Sequence, residues 1–197
     1  MCMKNFKDYY NLKELEVKNY DDKDSDVINW NPPSGDTWKR SDTIKVIGDY
    51  KINVLKDGAT LEYGVFVTTD NTYNCLASIG LDMTTDYSHI IGISTVPIVI
   101  EIKVQKEYRG KGLAKILYKT VLDRHGILFS DSTIYQGAYK LWMDYIKSLP
   151  GTELYLFNYV DEWIKPYDET LSFQDINTRL VSVYSNKYKN IFKKLVS

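Results

Sequence analysis

Residues 98–124 decide the fold, and they read IVIEIKVQKEYRGKGLAKILYKTVLDR. The first part belongs to a run of β-branched residues over 97–104, which predicts a strand. Beyond a loop with two glycines, apolar residues recur at helical spacing from Leu113 to Val121 and predict a helix over 112–124. The sequence therefore predicts a strand–loop–helix unit at the centre of the domain.

Further elements surround this unit. Three β-rich runs before it predict an antiparallel meander: Ile44–Leu55, Thr60–Thr69 and Tyr73–Asp82, broken at Asp57-Gly58 and Asp70-Asn71. The elements expected after it are a strand at Gly126–Ser130, a helix over 133–148, a strand at Glu153–Tyr159 and a helix from Ser172. An amphipathic helix is predicted over residues 4–20, followed by a loop through 21–35. This order predicts an α/β or α+β domain.

Composition narrows the class of protein. The chain has 197 residues, with 25 Lys and Arg against 26 Asp and Glu, which suits one domain and argues against a general nucleic-acid coat or membrane binder. Two cysteines and two histidines show no metal-ligand spacing. The longest uncharged apolar stretch, His89–Ile100, is too short to span a bilayer. We expect a cytoplasmic protein without a metal, and nucleic acid is not a favoured partner.

The loop after the central strand carries the chemistry. Glycines at 110 and 112 open the following helix, so backbone N–H groups at its positive end can bind an anion. The alternative is a plain tight turn in which Gly supplies a positive φ. Residues 103–124 hold seven basic and two acidic side chains, a local charge of +5, although the whole chain has −1. That concentration favours a polyphosphate ligand.

Two common phosphate loops do not fit this segment. A dinucleotide-binding fingerprint requires a third Gly where Lys115 stands. A P-loop requires Gly-Lys-Ser or Gly-Lys-Thr where this chain has Gly110-Lys111-Gly112.

The segment resembles a known signature. Arg109-Gly110-Lys111-Gly112-Leu113-Ala114, placed between strand and helix, is similar to the acetyl-CoA-binding motif (Q/R)-x-x-G-x-(G/A) of the Gcn5-related N-acetyltransferases. Residues 126–142 also resemble phage-encoded members, which act in the host cytoplasm. The resemblance implies a mixed, mostly antiparallel central sheet flanked by helices in a single domain. It covers residues 40–160, with extensions at 1–39 and 161–197.

The resemblance also implies roles for residues of the coenzyme site. Amides from Arg109 to Ala114 would hold the coenzyme A pyrophosphate. Backbone groups of Ile102 and Val104, on a strand edge that splays from the next strand, would bind the pantetheine arm and the thioester carbonyl. The implied activity is transfer of an acetyl group from acetyl-CoA, by direct attack, to the primary amine of a small molecule or a protein.

The catalytic groups of the family are not matched. Many members have a Glu on the central strand where this chain has Ile98. Glu101 and Asp131 are candidate general bases; the alternatives are an ion pair with a neighbouring Lys for Glu101 and a helix N-cap for Asp131. His125 is interpreted as a residue of the helix C-terminus.

The place of the family's general acid also departs from the pattern. A Tyr common on its fourth helix corresponds to Trp142 here, so Tyr139 is the candidate acid and Tyr145 a substitute. Packing of these aromatic side chains on the sheet is the alternative. The missing groups leave open a second hypothesis, a non-catalytic protein of this fold with a binding, host-interaction or structural role. A homodimer is compatible with the sequence, which does not identify the acceptor.

Overall fold

The computed structural model describes residues 38, 41–69, 72–131, 134, 136–168 and 177–197. Its first half is an antiparallel meander of four strands, β1 (Asp42–Ile47), β2 (Tyr50–Asp57), β3 (Thr60–Thr69) and β4 (Thr72–Thr84). The single predicted run Ile44–Leu55 is thus two strands, and that prediction is wrong. Gly48 has φ +56°, and Ile47 pairs with Tyr50 across a two-residue turn that the continuous β-rich pattern concealed.

The central unit agrees closely with the prediction. A short helix α1 (Ser88–Ile91), which the sequence analysis missed, precedes β5 (Val96–Val104). A single 3₁₀ turn (Lys106–Tyr108) and the two glycines then lead into helix α2 (Leu113–His125). Strand β6 (Ile127–Phe129) follows and runs parallel to β5.

The remaining elements complete the sheet. Helix α3 (Gln136–Leu141) continues as a π-helical turn (Trp142–Ile146), and the strands β7 (Glu153–Asn158), β8 (Trp163–Pro166) and β9 (Thr178–Val183) precede helix α4 (Asn186–Leu195). The helix predicted from Ser172 is wrong for Thr178–Val183, because these residues form the mostly buried strand β9 in the interior of the sheet. The start of that prediction, the helix over 4–20 and the loop through 21–35 lie outside the described residues.

The described residues form one mixed sheet of nine strands, in the order β1-β2-β3-β4-β5-β6-β9-β7-β8. Within it β5–β6 is the parallel pair and the other neighbours are antiparallel. The predicted fold class, a mixed and mostly antiparallel central sheet flanked by helices, is confirmed. Strand β9 lies between β6 and β7, so residues beyond 160 belong to the same sheet as the central unit.

Each face of the sheet has its own core. On one face α2 packs against β3, β4 and β5 through buried residues such as Tyr63, Ile79 and Leu117, and α3 adds side chains to the same core. On the other face α1 and α4 cover β6, β7 and β9 around Phe129, Phe157 and Phe192. A small third cluster of Trp38, Phe66 and Cys75 lies on β3 and β4. The stretch of sheet between these last two cores carries polar side chains, which are described below.

Candidate functional site

The glycine loop takes the conformation that its residues require. Gly110 and Gly112 have φ values of +76° and +81°, a region that L-residues with a side chain rarely adopt. A Cβ added at either position would meet no atom within 4 Å. Gly112 is the N-cap residue of α2, and its carbonyl accepts the amide of Ile116 at 3.1 Å. Glycine is therefore needed here for the backbone angle, and the space beside the loop is open.

The loop presents backbone donors to that open space. Among the described residues, no backbone carbonyl or capping side chain accepts the amides of Gly110, Gly112, Leu113 or Ala114. The amides of Arg109 and Lys111 instead donate to the carbonyls of Lys106 and Tyr108 at 3.3 and 3.4 Å. The set of available donors is thus narrower than the predicted run from Arg109 to Ala114. Four amides at the positive end of a helix form a candidate anion site.

Charged side chains around the loop favour an anion as well. The first turn of α2 contains no acidic residue. The Arg109 guanidinium folds back so that its Nε donates to the Val104 carbonyl at 3.4 Å, and Lys111 lies over the Tyr108 ring at 4.5 Å from its centroid. These contacts hold Arg109 against the end of β5 and Lys111 against the 3₁₀ turn. Their charges add to the field of the helix terminus.

Strands β5 and β6 diverge beside this loop. They pair at one register position, Ile98 with Phe129. On its other side β6 pairs with β9 along its whole length, and the Ser130 amide continues that pairing to the Leu180 carbonyl at 2.8 Å. The later part of β5, which contains Ile102 and Val104, has no strand partner on that side within the described part of the chain. An unpaired strand edge offers amide and carbonyl groups to an extended ligand.

The face of β5 opposite α2 carries a polar group of residues, which we call the carboxylate face: Glu62, Ser78, Gly80, Glu101 and Lys103. Strand register places Glu62, Gly80 and Glu101 side by side on β3, β4 and β5. Ser78 and Lys103 are neighbours in the adjacent row. A bulge leaves Ile100 without a partner on β4, and a Cβ on Gly80 would lie 3.2 Å from both Glu101 Cγ and Ile100 Cγ1.

The two carboxylates of this face have different surroundings. Glu101 has 43% of its side chain exposed and pairs with Lys103 at 2.6 Å, as the alternative interpretation of the sequence predicted. Glu62 is half-buried, and burial raises its pKa above the ordinary value. The negative charge of Glu101 raises it further, whereas the Ser78 hydroxyl and Lys103 lower it in part. Sequence analysis missed Glu62, because a bulge between Val65 and Phe66 shifts the register by one residue and brings Glu62 opposite Gly80.

Asp131 lies just beyond the end of β6 and forms an ion pair with Arg179 of β9 at 3.7 Å. Arg179 also donates to the Ser130 carbonyl at 2.9 Å and to the Tyr87 hydroxyl at 3.0 Å. Its guanidinium lies 5.4 Å from the centre of the Tyr159 ring. The predicted base is therefore part of an arginine-centred cluster. Arg179 was not singled out from the sequence because it lies in the tail that was expected to be helical.

The candidate acids are packed on the α2 side of the sheet. The hydroxyl of Tyr139 lies 3.4 Å from that of Tyr167, and the Tyr145 ring lies under Lys115. Trp142 is 1% exposed, with its ring 6.1 Å from that of Tyr118. Burial raises the pKa of Tyr118 to about 12, and a hydrogen bond with Trp142 partly offsets this effect. Trp142 thus belongs to the core.

His125 is the last residue of α2, at the opposite end of the helix from the glycine loop. Its Nε2 and the Tyr63 hydroxyl are 2.7 Å apart. Burial and the nearby Arg124 lower the pKa of His125. The prediction that it is a helix-terminal residue is confirmed.

Other kinds of site were also sought in the described part of the chain. No helix there is long and apolar enough to cross a membrane. The same residues contain no group of three His, Cys, Asp or Glu side chains that could hold a metal ion.

Comparison with known proteins gives one weak similarity. A solved structure, the ribosomal-protein-S18-alanine N-acetyltransferase from Escherichia coli, aligns with a TM-score of 0.35 and 16% identity. The alignment covers 64% of this chain and 69% of that one. No protein-family model and no curated protein sequence matches the chain. At this level the similarity assigns neither family nor substrate.

Proposed function

We propose that this chain is an acetyl-CoA-dependent N-acetyltransferase of the Gcn5-related superfamily, which acetylates a primary amine. The observation that carries the proposal is the juxtaposition of two features of the central unit. Four available amides at the start of α2 form an anion site. The unpaired edge of β5 lies beside them and suits an extended arm attached to that anion.

The residues present fit the coenzyme. Amides of Gly110, Gly112, Leu113 and Ala114 would bind the pyrophosphate, and the open space beside both glycines leaves room for it. Arg109 and Lys111 would add positive charge. Backbone groups of Ile102 and Val104 would bind the pantetheine arm. When bound, the coenzyme supplies an acyl group activated as a thioester.

The chain itself must then bind an amine, remove its proton and exclude water from the reacting groups. Glu101 is the predicted base that lies on β5, the strand with the open edge, directly after the bulge at Ile100. Asp131 and Tyr139 stay candidates for proton transfer, although each already has a partner. The acceptor is a small molecule or a protein, and we propose a cytoplasmic site of action. A membrane partner is not part of the proposal, and a homodimer is compatible with it.

A second candidate function is coenzyme binding without transfer. The pairing of Glu101 with Lys103 and of Asp131 with Arg179 favours it, since both predicted bases are held by cations. The buried Trp142 at the place of the family's Tyr favours it too.

Two measurements distinguish these functions. Calorimetric titration with acetyl-CoA is expected to show binding; no heat at hundreds of micromolar coenzyme would refute both functions. Release of free coenzyme A thiol is then followed with a panel of amines, peptides and nucleic acids. Release that depends on an acceptor supports the transferase, and binding without release across the panel supports the binding protein.

A further inference from the structure

The carboxylate face contains a second carboxylate that the family motif does not account for. Glu62 lies on β3, two strands away from the open edge of β5, and faces Glu101 across Gly80. Neighbouring strands are about 5 Å apart, so two glutamate side chains can approach each other over a glycine between them. Because both side chains are carboxylates, the negative charge of Glu101 contributes to the raised pKa of Glu62.

Gly80 allows the two side chains to approach each other. Its ideal Cβ would lie 3.2 Å from Glu101 Cγ, so a side chain here would require Glu101 to shift by a few tenths of an ångström. The bulge at Ile100 turns both Ile100 and Glu101 over the same glycine. The sheet therefore carries no side chain between the two carboxylates.

A buried hydroxyl lies in the row next to the two carboxylates. Ser78 is 1% exposed and lies on the same face as Glu62, one row away. It is near enough to lower the pKa of Glu62, yet its Oγ makes no hydrogen bond of good geometry with any described residue. Buried hydroxyls normally have a partner, so Ser78 is a hydrogen-bonding group that is still available beside the two carboxylates.

On the basis of the proposed function, we propose that Glu62 and Glu101 bind the ammonium group of a cationic primary amine and that Glu62 accepts its proton. In the free protein the ammonium of Lys103 neutralises Glu101. The substrate ammonium would replace it between the two carboxylates, with the Ser78 hydroxyl completing the polar contacts. Titratable groups that face Glu62 are Glu101 and Lys103 on β5 and the Cys75 thiol on β4.

Two protons leave the amine nitrogen in the proposed step. One N–H proton of the ammonium passes to the Glu62 carboxylate, and the freed nitrogen lone pair attacks the thioester carbonyl. The C–N bond forms, the C–S bond breaks, and the sulfur leaves with the bonding electrons. A second proton from nitrogen neutralises the sulfur as thiol. Glu62 afterwards returns its proton to solvent. Its environment suits the task, because burial and Glu101 favour the protonated form.

The test uses the full-length protein, acetyl-CoA, and 1,4-diaminobutane, spermidine and a lysine-containing peptide as acceptors. Thiol release is measured for wild type, Glu62→Gln and Glu101→Gln. The matched control is Glu153→Gln, another strand glutamate paired with a lysine, Lys193 at 3.1 Å. Wild type is expected to acetylate at least one of these amines. Glu62→Gln should lower kcat by about 100-fold or more, the usual contribution of a general base, whereas Glu153→Gln should leave it unchanged.

Two readouts separate this role from a structural one. The loss of kcat in Glu62→Gln should become smaller as pH rises, because a larger fraction of the amine is then already deprotonated and needs no general base. Glu101→Gln should raise the KM for the amine more than it lowers kcat. In both variants the calorimetric affinity for acetyl-CoA should stay that of wild type. Gly80→Ala, which shifts Glu101 slightly but keeps its charge, should raise the KM for the amine less than Glu101→Gln does.

The failure of the inference is distinguishable from that of the proposed function. No binding of acetyl-CoA refutes the function itself. If coenzyme binds but Glu62→Gln acetylates within threefold of wild type, or loses activity equally at every pH, the assignment of Glu62 is overturned. If none of the three cationic amines is acetylated, or if only neutral amines of the wider panel are, the assignment of a cationic primary amine as substrate is overturned.

Discussion

Replacement of Gly112 by Glu tests the assignment of the anion site most directly. The position combines a φ of +81° with open space at Cβ, so the new side chain collides with nothing and projects from the first turn of α2. A carboxylate about 5 Å from one phosphate charge costs about 3 kcal/mol at an effective dielectric constant of about 20. Since about 1.4 kcal/mol is a factor of ten, acetyl-CoA affinity should fall by roughly 100-fold or more.

Backbone strain must be separated from charge in this experiment. Any side chain at Gly112 has an unfavourable positive φ, which costs about 1–2 kcal/mol of stability. Gly58→Glu is the matched control: φ is +58°, the space is also open, and the residue lies in the β2–β3 turn away from α2. Gly112→Ala adds the strain without the charge.

The assay is calorimetric titration of acetyl-CoA, with thermal unfolding recorded for each variant. We expect both Glu variants to be destabilised to a similar extent. Coenzyme affinity should be lost in Gly112→Glu and largely kept in Gly58→Glu and Gly112→Ala. Normal binding by Gly112→Glu would show that the loop is a plain tight turn, and the assignment of the pyrophosphate site would then be wrong.

Three further predictions concern buried groups. Burial raises the pKa of Cys75 to about 12, so in a Cys2→Ser background its thiol should react with Ellman's reagent only after denaturation; rapid labelling of native protein would contradict this. The lowered pKa of His125 means that below about pH 6.5 the unfolded chain binds more protons than the folded chain. The free energy of unfolding should therefore decrease there as pH falls, by at most about 1.4 kcal/mol per pH unit. Urea unfolding of His125→Gln should show a shallower decrease. Trp142→Ala should cost about 3–5 kcal/mol in the same assay, and a loss below 1 kcal/mol would exclude Trp142 from the core.

Local pattern was sufficient to predict the central unit. Helix α2 shows its period in Leu113, Leu117 and Val121, all buried, and Gly112 marks its start as the sequence indicated. Strand β5 was recognisable because β-branched residues fill it. These features depend on contacts between residues close in the chain, which a sequence shows directly.

Long-range pairing accounts for what was missed. The place of Thr178–Val183 between β6 and β7 depends on partners far away in the chain, so the segment was predicted as part of a helical tail. The interaction of Glu62 with Glu101 likewise requires two strand registers and a bulge at Ile100. A bulge shifts the facing of every residue after it, and its position could not be read from side-chain alternation alone.

The insertion of β9 between β6 and β7 has a consequence for how the chain folds during synthesis. Strands β1 to β6 can assemble in order as they leave the ribosome, because each pairs with its predecessor. The hairpin of β7 and β8 can form next, but it has no place in the sheet until Thr178–Val183 arrives. The nascent protein should therefore pass through two separate pieces with exposed strand edges. A chain truncated before residue 178 should be recognised by chaperones and degraded, even though it retains the whole glycine loop.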